Sequence, residues 1–264
     1  MKKYKNPPPI VIAKRVIYAL FLKELKTRFG QYKLGVFWFF LDPLIQVVFF
    51  GVLFGYIAKR VMPNVDYTVY VTTGILTWMM FRNVLNRGIT AIDSAKVFFV
   101  FSQVKPLDAF ISRVFLEFFI FSILYIVVMS ILGYLEHEFV FFKPLEFIGC
   151  YICIFLIGCG LSLVIMVVSS LYRDVRKILG VILRVLYFTS GVIFPIKFIP
   201  TKYHYLLAWN PIVHIMELTR EALFPAFKGV IASLIFFASL DLKPCVAIVK
   251  TPLFSSNTNR TLDL

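Results

Sequence analysis

LGVFWFFLDPLIQVVFFGVLFGYI, residues 34–57, runs for 24 residues with a single charge, Asp42. An α-helix rises 1.5 Å per residue, so roughly 20 apolar residues cross a hydrocarbon core of about 30 Å, and this stretch reads as a membrane span. Further apolar runs follow at about 67–85, 115–134, 147–172 and 178–194. Lipid offers no hydrogen bonds to a backbone, so repeated runs of this length predict an all-α polytopic membrane protein with five clear spans.

The composition agrees. Sixty per cent of the 264 residues are hydrophobic, 30 of them Phe, and mean hydropathy is +0.85, far from the ~45–50% apolar content of soluble domains. The length suits one membrane domain with short loops, so an energy-coupling module is expected on another chain. The net charge of +14 follows the membrane: residues 1–33 carry nine Lys/Arg against Glu24, whereas 134–146 carries Glu136, Glu138 and Glu146 against Lys143. By the positive-inside rule the N-terminus is cytoplasmic, Lys59 and Arg60 being a mild exception. Three regions result: a cytoplasmic amphipathic segment (1–33), a transmembrane domain (34–250) and a polar tail (251–264).

Within 1–33, IVIAKRVIYALFLKELKTRFG sets Ile10, Val11, Val16, Ile17, Leu20, Phe21 and Leu25 against Lys14, Lys23, Lys26 and Arg28. That pattern predicts an amphipathic helix in the inner-leaflet interface, closed by Gly30. The longest cytoplasmic connection, 86–112, has room for a short surface helix stopping at Lys105-Pro106, because a residue before proline is steered out of the helical region. Arg113 and Glu117 then stand one turn apart, able to pair. The fourth span contains Gly158, Gly160, Ser162, Ser169 and Ser170, small enough for close helix packing. Arg184 lies inside the fifth span and is expected to face protein, water or an anionic ligand.

Residues 195–227 are apolar but broken by Pro195, Pro200, Pro211 and Pro225. They read as two short helices dipping into the outer side of the membrane, the second started by Asn210-Pro211, with Arg220 in helical reach of Glu217 or Glu221. The last apolar run meets Asp241, Lys243 and Pro244 after twelve residues, so 229–249 is a degenerate sixth span. Cys150, Cys153 and Cys159 share one apolar run and read as small hydrophobes rather than a metal or redox site. No cleavable signal peptide is expected.

The chain has no G-x-x-x-x-G-K-[ST] phosphate loop. His137, His204 and His214 are scattered, and the Asp residues at 42, 66, 93, 108 and 174 are isolated near span ends. A sugar transferase acting on a polyprenyl phosphate would need clustered acids for metal and phosphate. No catalytic or metal-binding residue is therefore assigned.

The segments TRFGQYKLGVFWFFLDPL, VKPLDAFISRVFLE and above all NPIVHIMELTREALFP resemble the membrane subunit of ABC-2 class exporters, most closely the capsular polysaccharide export permeases of Gram-negative bacteria. The resemblance covers about residues 10–227. It implies a homodimer of six-span subunits in the inner membrane, each resting on a separate ATP-binding subunit that holds ATP and Mg, so that this chain carries no cofactor of its own. The substrate implied is a polysaccharide, lipid-linked and acidic; periplasmic and outer-membrane export proteins are possible further partners, and nucleic acid is not one.

In the family pattern the N-terminal helix (10–29) and the connection 86–105 touch the ATPase, which points to Lys23, Glu24, Arg28, Arg87, Asp93 and Lys96. The broken helices would gate the outer mouth, through Pro195, Pro200, Asn210, Pro211, Glu217 and Arg220. Path-lining candidates are Trp38, Trp78, Phe81 and Tyr187, by stacking on sugar faces, and Arg184 and Arg220, by contact with an anionic polymer. The competing roles are interface anchoring for the aromatics and structural pairing for the arginines. Trp209 is a further aromatic of the same kind. One departure stands out: the family continues into a full sixth span and a short basic tail, which 229–264 does not match. Three alternatives stay open on residues alone: export of an O-antigen or teichoic-acid type polymer, a membrane enzyme of polysaccharide synthesis, and a non-transporting scaffold of an export complex.

Overall fold

The structure, a computed structural model, describes residues 8–30, 35–61, 67–101, 103–136, 143–172, 174–193, 196, 207 and 209–223. Among the described residues the chain is helical, with no strand: α1 Pro9–Gly30, α2 Gly35–Val61, α3 Tyr67–Ile89, α4 Ala91–Ala95, α5 Pro106–Glu136, α6 Pro144–Leu171, α7 Val175–Thr189 and α8 Pro211–Leu223. A 3-10 turn over Lys96–Val100 follows α4. Among the described residues two helices are long and apolar enough to cross a membrane, α5 over Pro106–Tyr134 and α6 over Pro144–Leu171, and α2 contains a shorter apolar stretch, Leu41–Phe54. The degenerate sixth span at 229–249 and the tail at 251–264 lie outside the described residues.

Helix α3 is the hub, packed against α2, α5, α6 and α8. It is buried almost all round and satisfies its own polar side chains: the Thr72, Thr73 and Thr77 hydroxyls donate to carbonyls three or four residues back, at 2.7–2.8 Å. Small residues set its approach to α6. A Cβ built on Gly88 would lie 2.6 Å from Ser162 Oγ and 2.8 Å from the Phe110 ring, and one on Gly158 would sit 3.2 Å from Val84 and 3.3 Å from Phe81. Gly158 and Ser162 thus do what their size predicts, whereas Gly160 and Ser170 face away from any neighbour. The outer faces of α5 and α6 expose Phe119, Ile123, Ile126 and Leu156, Val164, Val167, the surface that lipid tails cover.

Two local readings change. Lys105-Pro106 opens a helix instead of closing one: α5 begins at Pro106, nine residues before the expected start of the third span. Proline suits the first helical position because its missing N–H would have no partner there, and Asp108 Oδ2 accepts from the Lys105 N–H at 3.1 Å, closing the first turn. The surface connection ends earlier, in the 3-10 turn. Helix α1 is also less cleanly two-faced than its sequence suggests. Leu20 is buried, with Val16 packed beside it, against Ala95 and Ala109, while Ile10, Tyr18, Leu22 and Leu25 remain exposed among Lys14, Arg15 and Lys26.

Candidate functional site

Two charged joints stand out in this apolar bundle. The first lies where α1 meets α5. Glu24 and Arg28 are one turn apart on α1, and Arg113 and Glu117 are one turn apart on α5, with the signs in opposite order. The four pair across the two helices. Arg113 Nε lies 3.2 Å from Glu24 Oε1 and its Nη2 donates to Glu24 Oε2 at 3.3 Å, while Arg28 pairs with Glu117. The expected pairing of Arg113 with Glu117 along α5 is therefore replaced by two interhelical pairs, because docking α1 brings a better-placed opposite charge to each. Arg87, near the end of α3, adds its Nε at 3.4 Å from Glu117 Oε1. Arg113 Nη1 also donates to the Thr90 carbonyl at 3.0 Å, binding the end of α3 into the same clasp. Glu117 is only 2% exposed, so removing these cations would leave its side chain buried without a partner of opposite charge.

The clasp encloses a cavity of about 260 Å³ lined by Glu24, Thr27, Arg28, Arg87, Arg113, Leu116 and Glu117. Beside it, α1 rests on the α4 region. Lys23 pairs with Glu24 at 3.1 Å and stands over the Phe98 ring. Asp93 on α4 is held between Lys96 at 2.7 Å and Arg176, at the start of α7. Hydrogen bonds from Lys96 and then Arg176 keep the Asp93 carboxyl below the usual carboxylate range.

The second joint is at the start of α8. Asn210 caps that helix, its Oδ1 accepting from the Ile212 N–H at 3.0 Å and its Nδ2 donating to Ser190 Oγ at 3.1 Å. Pro211 occupies the first helical position, as its sequence predicts. Arg220, 1% exposed, reaches across to the turn after α7: Nη1 donates to the Gly191 carbonyl at 2.7 Å and Nη2 to Val192 at 2.9 Å. Its guanidinium lies 3.7 Å from the centre of the Tyr70 ring. Gly191 takes φ 67°, a left-handed conformation that glycine adopts without penalty. Tyr67 donates to the Ile193 carbonyl at 3.3 Å. A Cβ on Gly74 would fall 2.5 Å from Arg220 Nη2 and 2.6 Å from the Val192 carbonyl oxygen, so only glycine leaves room for the cradle.

The six residues expected at an ATPase contact gather at one end of the bundle, but Glu24 and Arg28 turn into the clasp. Arg87 and Lys96 are the more open, at 44% and 61% exposure. Of the path candidates, Trp78 and Phe81 are buried together in the core with ring centroids 5.6 Å apart, and Tyr187 packs on Trp78 at 5.6 Å. Arg184 is exposed on α7, Arg220 sits in its cradle, and the side chain of Trp38 is outside the described residues. Of the outer-gate candidates, Asn210, Pro211 and the buried Glu217 lie on or beside α8, whereas Pro195 and Pro200 fall outside the described residues. Residue order alone missed Gly74, Gly191 and Arg176, and gave Arg113 and Glu117 each other as partners in place of Glu24 and Arg28. The mirrored signs of Glu24/Arg28 and Arg113/Glu117 were the available clue to the clasp.

These features are those of a helical domain with charged joints between its helices and, among the described residues, two helices long and apolar enough to cross a membrane. The profile of the ABC-2 type transporter family matches residues 15–224. Among curated relatives, polysialic acid transport protein KpsM of Escherichia coli is 34% identical over 231 residues, covering 88% of this chain and 90% of that protein. Capsule polysaccharide export inner-membrane protein BexB of Haemophilus influenzae is 29% identical, with 81% of each chain covered. The corresponding protein CtrC of Neisseria meningitidis serogroup B is 27% identical, again over 81% of each. The chain belongs to the ABC-2 type transporter family. It is a transport subunit, not an enzyme.

Proposed function

We propose that this chain is the permease of an ATP-driven exporter that carries capsular polysaccharide across the inner membrane, with ATP and Mg bound on a separate subunit. Similarity to KpsM over nearly the whole of both chains carries this reading. The clasp supports it mechanically: of the elements assigned to the ATPase contact, α1 is joined by ion pairs to α5 and α4 to α7, while Arg87 of α3 shares Glu117 with Arg28. In this arrangement Lys23, Arg87, Asp93 and Lys96 meet the ATPase, while Glu24 and Arg28 pass its movement to the spans.

Helices α2, α3, α5, α6 and α7 cross the membrane with the N-terminus in the cytoplasm. Two copies assemble around the path. Arg184 supports this, since a cation exposed on a helix that also presents Ile178, Val181, Val185 and Phe188 needs a second copy, water or an anionic polymer beside it. Tyr187 and Arg184 are the residues nearest such a path, and Trp78 and Phe81 join it only when α3 and α7 part. Arg220, Asn210 and Glu217 hold the outer gate, with Pro195 and Pro200 in its connecting segment. Periplasmic and outer-membrane export proteins complete the route.

Deleting the gene in its host and locating the polymer by specific staining and fractionation tests this. Polymer trapped inside the cell and exported again when the coding sequence is restored is the expected result. A cell that makes no polymer at all would move the protein to synthesis.

A further inference from the structure

Helices α3 and α7 run antiparallel, and contacts between them form a ladder. The Tyr67 and Tyr70 hydroxyls donate to the Ile193 and Gly191 carbonyls, just past the end of α7, at 3.3 and 3.4 Å. Further along α3 and back along α7, the Trp78 and Tyr187 rings meet with centroids 5.6 Å apart. One more turn in the same direction brings Arg82 level with Leu183 and Arg184.

Helical geometry then sets where the two arginines stand. At about 100° per residue, Arg82 is roughly 40° round α3 from Trp78, and Arg184 is roughly 60° round α7 from Tyr187. Because the helices run in opposite directions, both offsets fall on the same side of the Trp78–Tyr187 contact. Burial agrees. Phe81 and Leu183, which the same geometry puts on the other side, are 0% and 6% exposed, whereas Arg82 is half-buried and Arg184 exposed. The Arg82 charge is also felt at the Tyr187 hydroxyl.

Among the described residues neither arginine has an ion-pair partner. Nor do they stand at helix ends: Arg82 lies about 10 Å before the last residue of α3, and Arg184 about 14 Å into α7. Two guanidinium ions gathered at that depth repel each other unless an anion lies between them. A planar carboxylate matches one guanidinium fork, whereas a tetrahedral phosphate presents oxygens on several sides and can accept from two.

We propose that the groove edged by Arg82 and Arg184 binds a phosphate ester, borne either by a membrane phospholipid or by the exported polymer. The inference rests on the membrane crossing of α3 and α7 proposed above, and not on which polymer is carried.

The test is native mass spectrometry of the purified full-length chain with four probes: phosphatidylglycerol, a glucosyl diacylglycerol of matched acyl chains, glucose 1-phosphate and glucuronate. Retention of phosphatidylglycerol about tenfold over the glucosyl lipid supports a lipid as the source, and retention of glucose 1-phosphate about tenfold over glucuronate supports the polymer; tenfold is the scale of one charge-assisted hydrogen bond. Arg82→Gln and Arg184→Gln should each remove most of that preference. Both variants should stay folded, since neither breaks an ion pair, and a thermal melt checks this. No preference for phosphate in either pair of probes, or a preference lost in only one of the two variants, would overturn the proposal. Recovery of the chain from cells without detergent would instead contradict the membrane crossing on which it rests.

Discussion

The clasp and the Arg220 cradle both neutralise buried arginine charge, but by different means. In the clasp, Glu24, Arg28, Arg87, Arg113 and Glu117 meet as ion pairs from three helices, around a cavity of about 260 Å³. In the cradle, Arg220 meets two backbone carbonyls and a tyrosine ring, sealed by Gly74. Side-chain pairs can part and re-form with new partners as helices shift, because each ion regains water or another counter-ion. Carbonyls of a turn held at φ 67° have no such freedom. The first arrangement suits a joint that moves during transport, the second a pin that fixes the α7–α8 connection against α3.

If that contrast holds, the largest stability losses come from the cradle. Arg220→Met leaves the Gly191 and Val192 carbonyls without their charged donors and should cost about 3 kcal/mol or more. Gly74→Ala should cost about 1–3 kcal/mol by overpacking, with no change in charge. Thermal unfolding of the purified protein measures both, and a neutral Gly74→Ala would break the picture of a tight pin. Clasp effects should be smaller and pairwise. A double-mutant cycle on Glu24→Ala and Arg113→Ala is expected to give a coupling of about 1 kcal/mol, whereas Glu24→Ala and Gly74→Ala should be additive.

The smallest effect belongs to the exposed strut at Asp93. Its folded carboxyl lies below the ordinary value, so the stability contributed by its pairs is present above about pH 3.9 and fades as pH falls through the lower folded value. Asp93→Asn should remove that acid-side loss and leave stability near pH 7 only slightly reduced. Salt should shrink the difference further. A pH titration of the melting temperature in wild type and variant reads it directly.

What could be read from residue order followed from how far apart the partners lie. The apolar runs predicted helices that begin and end within a few residues of α2, α3, α6 and α7, since burial in lipid is a property of each segment alone. The cap at Asn210-Pro211 is equally local. Partner choice was not legible in the charges. Arg113 could satisfy Glu117 on its own helix, and Arg220 had Glu217 and Glu221 within a turn; only the docking of α1 on α5, and of α8 on α3, selects Glu24 for the one and the Gly191 and Val192 carbonyls for the other. Those contacts bridge 89 and 28–29 residues, and the glycine that permits the second, Gly74, carries no side chain to announce it.

In the proposed function the clasp carries ATPase movement into the spans. The most direct measurement is polysaccharide export and ATP hydrolysis, side by side, in the assembled transporter bearing Glu24→Arg, and then Glu24→Arg with Arg113→Glu, at matched membrane abundance. The single reversal should abolish export while hydrolysis continues, and the paired reversal should restore a substantial part of export. Full export by the single variant would contradict the account.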